Sequence, residues 1–257
     1  MYAHAGSALV AVAANFAAPA KSLVTQFSAS SGHQLRLSIG STGSLYTQIM
    51  HGAPYDVFMS ADDIRPRKLV VAGVGIAEQR FTYAVGRLAL VATLTAPSAR
   101  LPAASTRIAA SNDALALALR GEVAGRSRRR IATANPQLAP YGRAAEQTLQ
   151  ALGLASELKS RLVRGENVGQ ALALVATGNA ALGFIAHSQV LADERAGAPK
   201  LHAPYLLVPM HLHAPIRQDV VLLRRSANNQ AALEFMVFLR SAAARALMAS
   251  FGYERAS

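Results

Sequence analysis

The chain has no cysteine. That excludes disulfides, thiol nucleophiles and cysteine-ligated metal centres, and it suits a compartment where thiols are a liability, although cytosolic proteins also do without them. No apolar run approaches the roughly 18 residues of a membrane span. The most apolar stretches, Ala114 to Leu119 and Ala171 to Ala176, are of helix-turn size. The first residues, Met1 to Ser7, lack a basic n-region, and the short apolar run Ala8 to Ala14 leaves no room for a signal-peptide core, so an export signal is expected to be absent from this chain. Acidic residues are scarce: 14 Asp and Glu stand against 26 Lys and Arg, a formal charge of +12. The densest basic run, Arg126, Arg128, Arg129 and Arg130, has no interleaved aromatics on which bases would stack, so a solvated loop is expected there and no nucleic-acid partner.

What is present is core. Hydrophobic residues are 52% of the chain and charged ones 16%, enough to bury a sizeable interior and to exclude global disorder. With 257 residues, one or two lobes are expected. No internal repeat or low-complexity tail occurs.

The chain repeats one theme, an apolar β-rich run, a turn of small polar residues and a stretch of helical periodicity, which marks α/β construction. Ala8 to Ala14 is expected as a strand, with Asn15 capping a helix over Phe16 to Ser28 and Pro19 in its first turn. Gln34 to Ile39 alternates as a strand, Gly40 to Ser44 is a turn, and Leu45 to Met50 is a helix ended by Gly52. Asp56 to Ser60 reads as a short buried strand, Ala61 to Ala72 as a helix, and Thr82 to Ala92 as one long strand that could cross between lobes. After a Pro/Ala/Ser-rich loop at Thr95 to Thr106 come a helix at Asn112 to Leu119 and a strand at Arg130 to Ala134. A loop at Asn135 to Pro140, a turn at Tyr141-Gly142 and a helix over Ala144 to Leu152 follow. Leu162-Val163 leads through Gly165-Glu166-Asn167 to a helix at Val168 to Thr177. Ala181 to Ala186, Leu206 to Met210 and Asp219 to Leu223 read as strands, and Asn229 to Ser250 as one or two closing helices.

Four of these turns, at Asn15, at Ser41 to Ser44, at Tyr141-Gly142 and at Asn167-Val168, hand a strand or extended loop over to a helix. A helix start offers unpaired N–H groups and about half a positive charge, so each is a candidate anion seat, while any one alone is simply a cap. Asn, Ser and Thr there can donate to an oxyanion, and none of the turns aims an ionised side chain inward. Neutral donors of this kind suit a small, symmetrical, fully ionised anion, which the cationic excess would also steer toward the protein.

Catalytic arrangements are missing. Asp62 and Asp63 are adjacent and diverge, which suits surface or capping roles rather than paired acid–base work. His211 and His213 could chelate from one strand face but have no third ligand at motif spacing. Gly40 to Ser44 is neither a nucleophile elbow nor a P-loop. The chain is expected not to be an enzyme and to hold no cofactor.

Several runs together resemble a family. These are Val12-Ala13-Ala14-Asn15-Phe16, Gly40-Ser41-Thr42-Gly43-Ser44-Leu45-Tyr46, the run from Gly52 through Pro54-Tyr55-Asp56 to Asp62, and Glu166-Asn167-Val168 with Ala171 to Val175. Leu182 to Ile185 and the closing Phe251-Gly252-Tyr253 fit as well. Over nearly its whole length the chain resembles the periplasmic molybdate-binding proteins of ATP-driven importers, which are type II solute-binding proteins. The resemblance implies a two-lobed α/β fold, each lobe a mixed sheet flanked by helices, with residues 1–84 and 212–257 in one lobe, 85–211 in the other, and an anion cleft between them. It implies a monomer in the periplasm that binds molybdate or tungstate and delivers it to a membrane permease of an ABC importer, molybdenum or tungsten being held only as the oxyanion. By position, the ligands fall on Asn15, on Thr42 with Ser41 beside it, and on the backbone N–H groups of Tyr141 and Val168. One branch of the family donates a tyrosine hydroxyl from the position Ala186 occupies here, and Tyr141 is the expected substitute. Sulfate or phosphate are the alternative ligands, since the fold does not set the anion. The effector domains of LysR-type regulators share this architecture, but the seven residues before Ala8 leave no room for a winged helix.

Overall fold

The computed structural model describes residues 5–93, 110–124, 130–196 and 201–255. The chain divides into two compact units, Met1–Gly86 with Arg217–Ser257, and Arg87–Ile216. It passes from the first to the second at Gly86–Arg87 and returns at Ile216–Arg217. The family resemblance implies these points near residues 84 and 211.

In chain order the first unit opens with β1 (Ser7–Ala13), α1 (Ala17–Ser31), β2 (Gln34–Gly40), α2 (Thr42–Met50), β3 (Val57–Met59), α3 (Ile64–Val71) and β4 (Gly75–Gly86). The second unit follows with β5 (Leu88–Thr93), α4 (Asn112–Ala124), β6 (Ile131–Ala134), α5 (Pro140–Ala151), α6 (Ala155–Leu158), β7 (Leu162–Gly165), α7 (Val168–Ala176), β8 (Leu182–Ala186), α8 (His187–Arg195) and β9 (Leu201–Leu207). The chain then re-enters the first unit along β10 (Ile216–Leu223) and ends in α9 (Gln230–Leu239) and α10 (Ala242–Ser250).

Each unit is built on one five-stranded mixed sheet, in the orders β2-β1-β3-β10-β4 and β7-β6-β8-β5-β9. The two orders correspond. In the first unit β1 is parallel to β2 and β3, and β10 runs antiparallel to β3. In the second, β6 is parallel to β7 and β8, and β5 runs antiparallel to β8 and β9. The strands flanked by helices on both faces read as continuous apolar runs: Val10, Ala11 and Val12 of β1 and Leu88 to Ala92 of β5 are fully buried.

Several expectations are corrected. The apolar run Thr82 to Ala92 is two strands in different sheets, broken at Gly86–Arg87, because an apolar run alone does not reveal a change of partner strand. Tyr141 and Gly142 belong to the first turn of α5, where Pro140 sits at the start and needs no N–H partner. The closing segment, expected as one or two helices, is two, the second capped by the hydroxyl of Ser241, which accepts from Ala244 N–H at 3.1 Å. α8 was not expected. His211 lies in a short turn, Met210–Leu212, rather than in a strand. The loop at Thr95 to Thr106 and residues Arg126, Arg128 and Arg129 lie outside the described residues.

Candidate functional site

The register of the parallel strands decides what comes together. Pairing of Ala13 with Gly40 brings the carboxyl ends of β1 and β2 side by side, so the Asn15 turn and the Ser41 turn are neighbours in the first unit. Pairing of Ala134 with Gly165 does the same for β6 and β7 in the second, where the Asn135 N–H also donates to the Gly165 carbonyl at 2.7 Å. Each sheet thus leads two adjacent parallel strands into helix starts, the place where open α/β sheets bind ligands. Asn15, Ser41, Thr42, Tyr141 and Val168 are each between 2% and 3% exposed, and all five are neutral.

The Asn15 expectation is corrected in its detail. Asn15 sits inside a tight turn, Ala14–Phe16, whose cap is Ala13, and α1 itself begins after Phe16 with no side-chain cap. Capping would require the amide oxygen to turn back onto the helix. Instead the amide nitrogen points inward and donates to Gln218 Oε1 and to the Tyr253 hydroxyl, both at 2.9 Å. Both side-chain N–H groups of Asn15 are thereby engaged within the protein rather than in capping α1.

At the second turn the roles of two adjacent hydroxyls separate. Ser41 is the N-cap of α2: its Oγ accepts from Ser44 N–H at 3.0 Å and donates to Ser44 Oγ at 2.7 Å. Thr42 Oγ1 instead accepts from Ala61 N–H at 3.2 Å, which uses a lone pair and leaves the hydroxyl proton to be given to a further acceptor. The Gly52 to Asp62 run explains itself through this contact. Its Tyr55 hydroxyl bridges Ser38 Oγ and Gln48 Oε1 at 2.9 and 2.8 Å, and its Asp56 carboxylate accepts from Leu9 N–H and Ser226 Oγ, both at 2.6 Å. Asp62 accepts from Ser60 Oγ and from Arg65 N–H, and pairs with the Arg65 guanidinium at 2.5 Å. Those bonds fix the segment whose Ala61 N–H holds Thr42. Asp63, in contrast, pairs with Arg67 at 2.8 Å on the surface.

In the second unit two glycines let helix starts approach strand ends. A Cβ on Gly142 would collide with the Ala134 carbonyl oxygen and lie 2.7 Å from its carbon, so only glycine lets α5 begin this close to β6. A Cβ on Gly165 would lie 2.6 Å from Gln170 Cβ. Asn167 caps α7 by accepting from Gln170 N–H at 3.1 Å, and Val168 is the first residue of that helix. Its N–H points out of the helix end, where no intrahelical acceptor exists. Ala186, at the end of β8, is fully buried and offers no hydroxyl.

The leads toward other chemistry do not assemble. Among the described residues no three His, Cys, Asp or Glu gather where they could hold a metal ion. His211 bonds Asn112 Oδ1 at 3.1 Å, and His213 Nδ1 faces the Ala214 carbonyl at 2.8 Å. Burial pushes the His213 imidazole below its ordinary pKa, the Ala214 carbonyl opposing and the Arg87 cation adding to the effect. Tyr83 is pushed well above the ordinary tyrosine value by burial, then by Tyr253 and Asp219. The polar residues that hold the Asn15 turn, Gln218, Tyr253 and Tyr83, were not anticipated as such. The only sequence signal was the match at Phe251-Gly252-Tyr253.

Known proteins share this arrangement. Residues 8–254 match the family described as bacterial extracellular solute-binding protein. The molybdate-binding protein ModA of Azotobacter vinelandii is 40% identical over 252 residues, 98% of this chain and 91% of that protein. ModA of Rhodobacter capsulatus is 38% identical over 251 residues, 98% and 89% of the two chains. The solved structure of the Azotobacter vinelandii periplasmic molybdate-binding protein superposes with a TM-score of 0.81 at 35% identity, covering 97% of this chain and all of that one. With two mixed sheets that each present a pair of helix starts beyond adjacent parallel strands, this chain belongs to the bacterial extracellular solute-binding protein family, among the molybdate-binding proteins.

Proposed function

We propose that this protein binds molybdate, and tungstate in the same manner, as the intact oxyanion and delivers it to the permease of an ABC importer, acting in the periplasm as a monomer without catalysing a reaction. The observation that carries this reading is the pairing of buried, neutral helix starts beyond β1 and β2 and beyond β6 and β7. The 40% identity to a molybdate-binding protein over 98% of the chain supports the choice of anion. The candidate donors are Thr42, with the Ser41-capped start of α2, and the Asn15 turn in the first unit, and Tyr141 and Val168 in the second. Fixed dipoles then neutralise the dianion without an opposing ion that would hold it against release. Tyr141 contributes its backbone N–H and, in place of the hydroxyl that Ala186 cannot supply, its side-chain hydroxyl. No helix among the described residues is long and apolar enough to cross a membrane.

Thermal unfolding with added anions tests the reading. A ligand that binds only the folded chain stabilises it by about 4.1 kcal/mol at a thousandfold excess over its dissociation constant. Molybdate and tungstate at millimolar concentration should raise the melting temperature by several degrees while sulfate and phosphate leave it near the ligand-free value. A larger rise with sulfate or phosphate would replace the anion in this assignment.

A further inference from the structure

A buried polar network stands behind the two anion turns of the first unit. Asn15, Gln218, Tyr83 and Tyr253 are between 0% and 6% exposed and come from four separate segments: the turn after β1, β10, β4 and the end of the chain. Gln218 Oε1 receives the Asn15 amide at 2.9 Å and the Tyr83 hydroxyl at 3.1 Å. The Tyr253 hydroxyl receives the other Asn15 N–H at 2.9 Å and donates to the carbonyl of the same residue at 3.1 Å, so side chain and backbone of Asn15 are clamped on one oxygen. Phe16 lies between the two tyrosine rings, at centroid distances of 4.9 and 5.1 Å. Tyr83 also lies 3.1 Å from the Ser60 carbonyl, and the next residue, Ala61, donates to Thr42 Oγ1. A continuous path therefore runs from the Asn15 turn through Gln218, Tyr83 and the Ser60-Ala61 backbone to Thr42.

An apolar core would hold β1, β4 and β10 together without the desolvation cost of two amides and two phenols. What such a core would not do is fix a turn that has no helix cap of its own. Tetrahedral oxyanions differ mainly in size, and a site that separates them by size must hold its donors to within about half an ångström. We infer that Gln218, together with Tyr83 and Tyr253, is the positioning element that sets the spacing of the Asn15 and Thr42 turns and thereby the site's discrimination between molybdate and sulfate. This rests on the oxyanion reading above, since these residues act through Asn15 and Thr42 and do not themselves touch the anion.

The test is the ratio of affinities. Gln218→Met preserves length and burial while removing the shared acceptor, and Tyr253→Phe removes only the hydroxyl clamp. Dissociation constants for molybdate, measured directly, and for sulfate, measured by displacement, should change unequally in both variants. Molybdate should weaken about tenfold and sulfate less than about threefold, because a loosened site loses most for the anion it was spaced to fit. If Gln218→Met fails to fold, Tyr253→Phe alone decides. Equal weakening of both anions, the outcome of a merely structural role, or unchanged molybdate affinity would overturn the inference while leaving the functional reading intact. A wild-type protein that binds neither anion, or prefers sulfate, would overturn that reading and the inference with it.

Discussion

Replacing Gly142 by alanine adds one methyl group where α5 meets the end of β6. The added Cβ would collide with the Ala134 carbonyl oxygen and would lie 2.7 Å from its carbon and 2.8 Å from the Asn135 carbonyl carbon. All three are backbone atoms, so no side-chain rotation relieves the overlap and the helix start must move away from the strand. Overpacking of this kind costs about 1–3 kcal/mol, and backbone partners place it at the upper end. At roughly 2–4 °C per kcal/mol for a chain of this size, the melting temperature should fall by several degrees. The same displacement moves the Tyr141 N–H, one of the proposed anion donors, so molybdate affinity should fall together with stability. Gly121 provides the matched control. It lies exposed in α4, and a Cβ there meets nothing within 4 Å. Gly121→Ala therefore gains helix propensity and should stabilise by about 0.5–1 kcal/mol without touching affinity. Circular-dichroism melting and molybdate titration of both variants read the contrast. A Gly142→Ala protein that melts at or above the wild-type temperature and binds as tightly would refute the close-approach argument.

Five further outcomes are expected. Tyr141→Phe should weaken molybdate binding by roughly ten- to a hundredfold, the loss of a hydrogen bond to a charged group, whereas wild-type affinity would assign Tyr141 its backbone contact alone. Thr42→Val removes both the proposed donor and the acceptor for Ala61 N–H, so titration should show weaker binding and denaturant melts a loss of about 1–3 kcal/mol for the buried donor left unpaired. Asp56→Ala strips an acceptor from Leu9 N–H, Ser226 Oγ and Asn229 Nδ2 and should destabilise by a similar roughly 1–3 kcal/mol without altering anion selectivity. For pH, a folded pKa below the unfolded one means that unfolding takes up a proton as the solution acidifies. His213 therefore withdraws stability as pH drops below the ordinary histidine value, and the acid limb of a pH–stability profile should flatten in His213→Phe. Tyr83 has the opposite sign: its raised pKa keeps its contribution intact at neutral pH and lets it go as pH rises past the ordinary tyrosine value, which Tyr83→Phe should abolish.

What could be read from residue order was whatever local chemistry controls. The hand-over from strand to helix at Asn167 was legible because an amide followed by a helical apolar stripe is a complete local signal, and Asn167 does cap its helix, while the turn expected over Gly40 to Ser44 ends at Ser41, which caps a helix that already begins at Thr42. Asn15 looked identical by that criterion and behaves differently, because its partners lie 203 and 238 residues further along the chain. No neighbour-based rule anticipates an amide turned inward toward Gln218 and Tyr253. Tyr141 and Gly142 resembled a turn for a related reason. Small and proline-containing runs mark turns and helix starts alike, and only the contact of Gly142 with Ala134 distinguishes the two. The largely apolar run from Thr82 to Ala92 likewise concealed a change of sheet at Gly86, since strand pairing is decided by partners remote in sequence.

Calorimetric titration of the ligand-free protein with molybdate, tungstate, sulfate and phosphate tests the central claim most directly. One molybdate or tungstate should bind per chain, with Thr42→Val and Gly142→Ala each weakening the interaction, and sulfate and phosphate should bind far more weakly. Tighter binding of sulfate or phosphate than of molybdate, or molybdate binding indifferent to both substitutions, would contradict the account.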